Sequence, residues 1–210
     1  RIPPYARGYF SATEQKGKNM FNEIDFSKID ITSEPPVKET ERQYYYMAKL
    51  AAMVTLKEQE LGRPVTYCLQ TFGCQMNEKQ SEVVAGIMDE IGFKRQETED
   101  ADIVIYNTCT VRENANLKVY GRLGKLHSLK KSNPDMKIAL FGCMMQEKQV
   151  VDKIRKDYPF VNLVFGTHNI FKFAELFYEM ENRDSQLIDI WDSTDKIVEE
   201  LPTERNYSFK

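Results

Sequence analysis

No stretch of this 210-residue chain approaches the ~18 consecutive apolar residues that a membrane-spanning helix requires, and no secretory signal pattern opens it. Excess positive charge is missing too. With 29 Lys and Arg against 32 Asp and Glu, the formal net charge is -3, so contact with nucleic acid would have to be local or made by other parts of a protein. Cysteine is scarce: Cys68, Cys74, Cys109 and Cys143 are too few and too scattered for a disulfide framework, and a reducing, cytoplasmic setting is expected. A glycine-rich phosphate loop is absent. Gly121-Arg122-Leu123-Gly124 falls inside a helical pattern, not between a strand and a helix. Histidine occurs twice, as His127 and His168, which restricts any imidazole chemistry to two positions.

What is present is sufficient for one domain with a sizeable core, at 41% hydrophobic content. The chain opens Arg1-Ile2-Pro3-Pro4 without a methionine, as an excerpt would. Residues 1–38 have no sustained period and are expected to be partly ordered, with Tyr9, Phe10 and Phe26 available to strap onto a domain. Met47, Leu50, Ala51, Val54 and Leu61 predict a helix over 39–61, stopped by Gly62 and Pro64 and docked on its own domain. From Val65 onward strands and helices alternate. Strands are expected at 65–72, 93–97, 102–107, 137–141, 162–165 and 187–191, and helices at 78–91, 113–131, 146–156 and 170–181. The expected fold is α/β: a doubly wound, mainly parallel sheet of about five strands, helices on both faces, right-handed crossovers and an N-terminal helical extension. The corresponding division is an extension over 1–63, the α/β domain over 64–191 and a linker over 192–210.

Three strand-like runs end on cysteine, in Gly73-Cys74, Asn107-Thr108-Cys109 and Gly142-Cys143, spaced 35 and 34 residues apart. That is about one strand–helix unit, so Cys74, Cys109 and Cys143 are expected at one end of one sheet, where open α/β sheets bind their ligands. A position at or just before a helix N-terminus favours the thiolate, the metal-binding form. Three thiolates suit an iron–sulfur cluster with one open iron, or a zinc ion with His168 as the candidate fourth ligand. Burial as small apolar residues is the alternative. Cys68, in mid-strand, is expected in the core. His168 is also a candidate cap for the helix that follows it. Lys118, Arg122 and Lys125 share a helix face, with Lys130 and Lys131 near its end; the face reads equally as an RNA-phosphate contact or a solvated surface.

The motifs Gly73-Cys74-Gln75-Met76-Asn77, Asn107-Thr108-Cys109 and Gly142-Cys143 resemble the N-terminal domain of the methylthiotransferases, a branch of the radical-SAM enzymes. The resemblance runs from about Thr66 to Glu181 and more loosely to Pro202. Gln75-Met76, Val111-Arg112-Glu113-Asn114-Ala115 and Phe165-Gly166-Thr167-His168-Asn169 are similar to the branch acting on dimethylallyladenosine in tRNA. The resemblance implies an auxiliary 4Fe-4S cluster on Cys74, Cys109 and Cys143, with Asn77, Asn107 and His168 as supporting residues around it. For the whole protein it implies a second 4Fe-4S cluster, S-adenosylmethionine, a sulfur donor and tRNA, the last met mainly through other domains. A monomer is expected. The Cys-x-x-x-Cys-x-x-Cys loop of radical-SAM chemistry does not occur, since no cysteine follows Cys143. These 210 residues are therefore expected to be inactive alone. Three alternatives stand beside this: a metal-binding module, an RNA- or partner-docking module, and the equivalent domain of a sister methylthiotransferase.

Overall fold

The computed structural model describes residues 25–110 and 115–192. Tyr9, Phe10, Val111–Asn114 and the expected linker after Asp192 lie outside the described residues. Six strands form a single sheet: β1 (Thr66–Phe72), β2 (Lys94–Arg95), β3 (Ile103–Thr108), β4 (Lys137–Gly142), β5 (Leu163–Phe165) and β6 (Leu187–Asp189). All neighbours are parallel, in the order β2-β1-β3-β4-β5-β6. Five helices accompany them: α1 (Glu39–Leu61), α2 (Gln75–Ile91), α3 (Ala115–Ser132), α4 (Lys148–Asp157) and α5 (Phe173–Glu181). The sheet is thus parallel and doubly wound, with the two-residue β2 bringing the strands to six.

Period-two alternation sends successive residues of each strand to opposite faces. Tyr67, Leu69, Ile103, Ile105, Ala139, Phe141, Leu163 and Phe165 enter one core, with Tyr45, Met47 and Leu50 of α1, Val84 and Met88 of α2, and Phe173 and Phe177 of α5. Cys68, Val104, Tyr106, Ile138, Leu140 and Val164 enter the other, under Val119, Leu123 and Leu126 of α3 and Val150 and Ile154 of α4. Burial on both sides is why β3 reads as a continuous apolar run.

Helix α1 lies in the same core as the sheet helices. Arg42 on α1 donates to both carboxylate oxygens of the buried Glu175 on α5, at 3.1 and 2.5 Å. Upstream, the Tyr45 hydroxyl donates to the Ser33 carbonyl at 2.7 Å, and Phe26 packs against that core.

Uniform crossover handedness does not hold. The units β3–α3–β4 and β4–α4–β5 advance across the sheet with their helices on one face, and β1–α2–β2 goes the other way with its helix on the opposite face, so these three share a hand. The unit β5–α5–β6 advances like the first two but carries α5 on the α2 face, giving it the opposite hand. The contacts of α5 with α1, and of Phe173 with Phe165 at 5.7 Å, account for that placement.

Candidate metal centre

The chain runs from β1 out to β2 and returns to β3 on the other side of β1, so the order reverses between β1 and β3. Register then aligns the strand ends. Phe72 pairs with Thr108, and Thr108 with Gly142, so β1, β3 and β4 stop side by side. Cys74, Cys109 and Cys143 follow these ends by two, one and one residues. The three cysteines therefore stand on adjacent loops at the carboxyl edge, beside the reversal point where such sheets take ligands.

Each loop is held by the next. Cys74 is the N-cap of α2, which begins at Gln75, three residues earlier than its apolar periodicity indicates, because the cap and not the core sets the start. The Cys74 N–H donates to Asn77 Oδ1 at 3.1 Å, while the Asn77 N–H points to the Cys74 sulfur. Asn77 Nδ2 donates to Asn107 Oδ1 at 2.8 Å and to the Thr108 carbonyl at 3.2 Å. Asn107 Nδ2 returns to the Asn77 carbonyl at 2.6 Å and to Ser81 Oγ at 3.0 Å. Both amides are buried. The cysteine of β4 joins through Thr110, whose N–H donates to Cys143 Sγ at 3.3 Å, and the Cys143 thiol faces the Thr108 carbonyl at 3.6 Å.

These contacts explain the glycines. A Cβ at position 73 would overlap the Asn77 amide, and one at 142 would overlap the Thr108 carbonyl and Asn107 Oδ1. Gly142 also has φ +109, in the region that side chains avoid. The three short motifs are thus one interlocked unit, with Asn77 and Asn107 fastening the loops of Cys74 and Cys109.

The electrostatics favour anionic sulfur at Cys74. The Asn77 and Met76 backbone N–H groups hold its thiol below the ordinary range against a smaller opposing effect of burial, and the Cys109 thiol donates to it as well. Cys74 and Cys143 are partly accessible, whereas Cys109 is buried. Cys68 lies at 1% exposure in the second core, where burial raises its pKa. One expectation about helix starts needs correction. Cys143 opens a 3-10 turn, Cys143–Gln146, instead of an α-helix. The reason is local: positive φ at Gly142 turns the chain sharply. Residues 111–114, between Cys109 and α3, lie outside the described residues.

His168 stands in the loop after β5, at the same sheet edge but one strand beyond the cysteine loops. It is not the cap of the following turn. That position is Asn169, which takes the Gly166 N–H at 3.0 Å and donates to the Asp189 carbonyl at 2.8 Å. Thr110, Ser81 and Gln146 escaped the sequence reading. The signal for Ser81 was present, since it lies four residues after Asn77 and so on the same helix face. Gln146 takes the Thr167 N–H at 3.1 Å and donates to the Trp191 carbonyl at 2.8 Å, joining the loops after β4, β5 and β6.

Among the described residues, no group of three or more His, Cys, Asp or Glu side chains is arranged to hold one metal ion. Zinc takes up to four thiolates and a 4Fe-4S cluster takes one at each iron, so the number of sulfurs alone admits both. The donors fit the cluster: soft sulfurs on three loops, glycines where side chains would intrude, and backbone N–H groups aimed at two sulfurs.

Three cations of α3 are tied to buried or backbone acceptors. Arg122 and Lys125 each reach the buried Glu99 carboxylate at 2.7 Å, and Lys130 Nζ donates to the Met136 carbonyl and to Asn162 Oδ1 at 2.5 and 3.0 Å. His127 stacks on Phe160 at 4.6 Å. No described helix is long and apolar enough to cross a membrane.

Residues 66–166 match the family model described as "Uncharacterized protein family UPF0004". The chain is 61% identical over 164 residues to a tRNA-2-methylthio-N(6)-dimethylallyladenosine synthase of Lachnoclostridium phytofermentans, covering 78% of this chain and 36% of that protein. Proteins of the same name from Acetivibrio thermocellus and Clostridioides difficile are 45% and 44% identical, over 82% and 83% of this chain and 36% and 37% of theirs. The chain therefore spans about a third of the length of these relatives.

Proposed function

Taking as premise the match of residues 66–166 to the UPF0004 family model, we propose that this chain is the auxiliary-cluster domain of a tRNA methylthiotransferase. In that reading the whole protein adds a methylthio group to carbon 2 of dimethylallyladenosine at tRNA position 37. The observation that carries it is the alignment of Cys74, Cys109 and Cys143 on three adjacent strand ends, locked together by Asn77 and Asn107.

Cys74, Cys109 and Cys143 would hold a 4Fe-4S cluster, which supplies when bound an iron position that no protein thiolate occupies, open to an exogenous sulfur. The cysteines act as ligands and not as acids or bases. Backbone N–H groups of Asn77 and Met76 stabilise the anionic sulfur at Cys74, and the Thr110 N–H points at the Cys143 sulfur. The buried amides of Asn77 and Asn107 hold the loops of Cys74 and Cys109 together. The radical-SAM loop, the second cluster and S-adenosylmethionine belong to other parts of the longer protein, as does most of the tRNA contact, so this stretch alone would not complete the reaction. A cytoplasmic location and a monomeric state are part of the same proposal, as is the division at residues 63 and 191.

Anaerobic reconstitution with iron and sulfide tests the assignment. About four irons and four sulfides per chain are expected, with a broad visible absorption band. Cys74→Ala, Cys109→Ala and Cys143→Ala should each abolish loading, while Cys68→Ala should load like the parent. Equal loss in all four variants, or tightly held zinc in place of iron, would refute the three-ligand cluster.

A further inference from the structure

We propose that the cleft between the end of β1 and α3 binds one nucleotide of a single-stranded RNA segment, its base on Phe72 and its phosphate on Lys118 and Arg122. The cleft is open, about 510 Å³, and lined by Phe72, Lys118, Gly121 and Arg122. It lies on the α3 face of the sheet beside the β1/β3 reversal point, and Phe72 precedes Cys74 by two residues.

The cleft combines the two elements that sequence-tolerant binding of single strands uses, an aromatic platform and a cationic rail. Phe72 is half-buried, and the wholly buried Tyr106 meets it edge-to-face at 5.0 Å, which fixes the ring from the protein side. Arg122 is fixed as well. Its guanidinium is tied at 2.7 Å to Glu99, whose side chain is 1% exposed and also takes the Tyr106 hydroxyl at 2.5 Å. The Arg122 side chain itself remains 44% exposed, and a guanidinium has donors to spare beyond the one that Glu99 takes. Lys118, one turn earlier on the same face, is exposed. Glu99 offsets only one of the three charges of Lys118, Arg122 and Lys125, so the face keeps two positive charges in a chain of net charge -3. Gly121 leaves open space where a side chain would stand between ring and cations. An acidic peptide would use the cations but has no call on the ring, so a nucleotide suits the cleft better.

The proposal rests on the reading that the substrate is tRNA, and assigns part of that contact to this domain. Its test is fluorescence anisotropy of the 210-residue chain with a short fluorescein-labelled oligoadenylate over a salt series. Lys118→Gln should weaken binding several-fold and make the log–log salt slope shallower by roughly 0.7, the value for one lost single-strand phosphate contact. Phe72→Leu should weaken binding about tenfold with the slope unchanged. Lys125→Gln, outside the cleft, should weaken binding less than Lys118→Gln. Melting curves identify any variant that fails to fold, and Lys118→Glu then provides a second surface change. Absence of binding, wild-type affinity in both Lys118→Gln and Phe72→Leu, or equal competition by inorganic polyphosphate or a polyglutamate peptide would overturn the proposal. Iron loading measured on the same samples separates the two readings. In the parent chain, loading without RNA binding refutes the cleft alone, and RNA binding without loading refutes the cluster alone.

Discussion

Gly142 and Gly124 have the same side chain and opposite reasons for it. At 142 a methyl group would strike the Thr108 carbonyl and force an unfavourable φ, whereas at 124, within α3, nothing lies within 4 Å of it. Gly142→Ala is expected to destabilise the protein by about 2 kcal/mol or more, and Gly124→Ala to stabilise it by about 0.5–1 kcal/mol, both read from urea denaturation. Asp102 offers a pH test. Burial opposes its charge, but paired hydrogen bonds from Arg63, with those of the Thr66 N–H and hydroxyl, outweigh that and bring its pKa down to about 2 from 3.8. A depressed carboxylate stabilises the fold above its unfolded pKa and loses that contribution as pH falls through the folded value. On the order of 2 kcal/mol should therefore disappear between about pH 4 and pH 2, and Asp102→Asn should flatten this part of a stability–pH curve. The cysteines were legible because their spacing repeats with the strand–helix unit. Thr110 was not: its role depends on a bond to Cys143, 33 residues away, and no local pattern records that.

The docking of α1 is decided by one charge pair and a broad apolar face. Arg42→Ala would leave Glu175 with its side chain 5% exposed and Lys172, at 4.0 Å, as its remaining ion-pair partner among the described residues. A loss of about 3 kcal/mol is expected, and less than the sum of the single losses in the Arg42→Ala, Glu175→Gln double variant, measured as a cycle by urea unfolding. Helix α1 was legible in its limits and its apolar spacing. The start of α2 was not, because Gln75, Met76 and Asn77 carry no apolar period and are recruited by the cap at Cys74. Nor was the inward commitment of α3: Arg122, Lys125 and Lys130 read as surface cations until Glu99 and Asn162 are placed beneath them.

Alternation along the chain announces a parallel sheet with helices on both sides, and that architecture is what forms. Strand order and crossover hand are different. Strands β1, β3, β4 and β5 carry apolar residues on both faces, so no residue pattern states which neighbour each takes, and the amphipathic stripe of α5 does not say on which side of the sheet it packs. The reversed hand of β5–α5–β6 follows from the company of α1, residues 39–61, more than a hundred positions upstream. The separation of Cys74, Cys109 and Cys143 has a consequence for binding. Thiols 35 and 34 residues apart must close two long loops before an unfolded chain can gather them, and that entropy opposes capture. Pairing of β1, β3 and β4 meets the cost in advance. A prosthetic group requiring all three would therefore bind the folded domain more tightly than the unfolded chain, and its colour would report correctly paired strands.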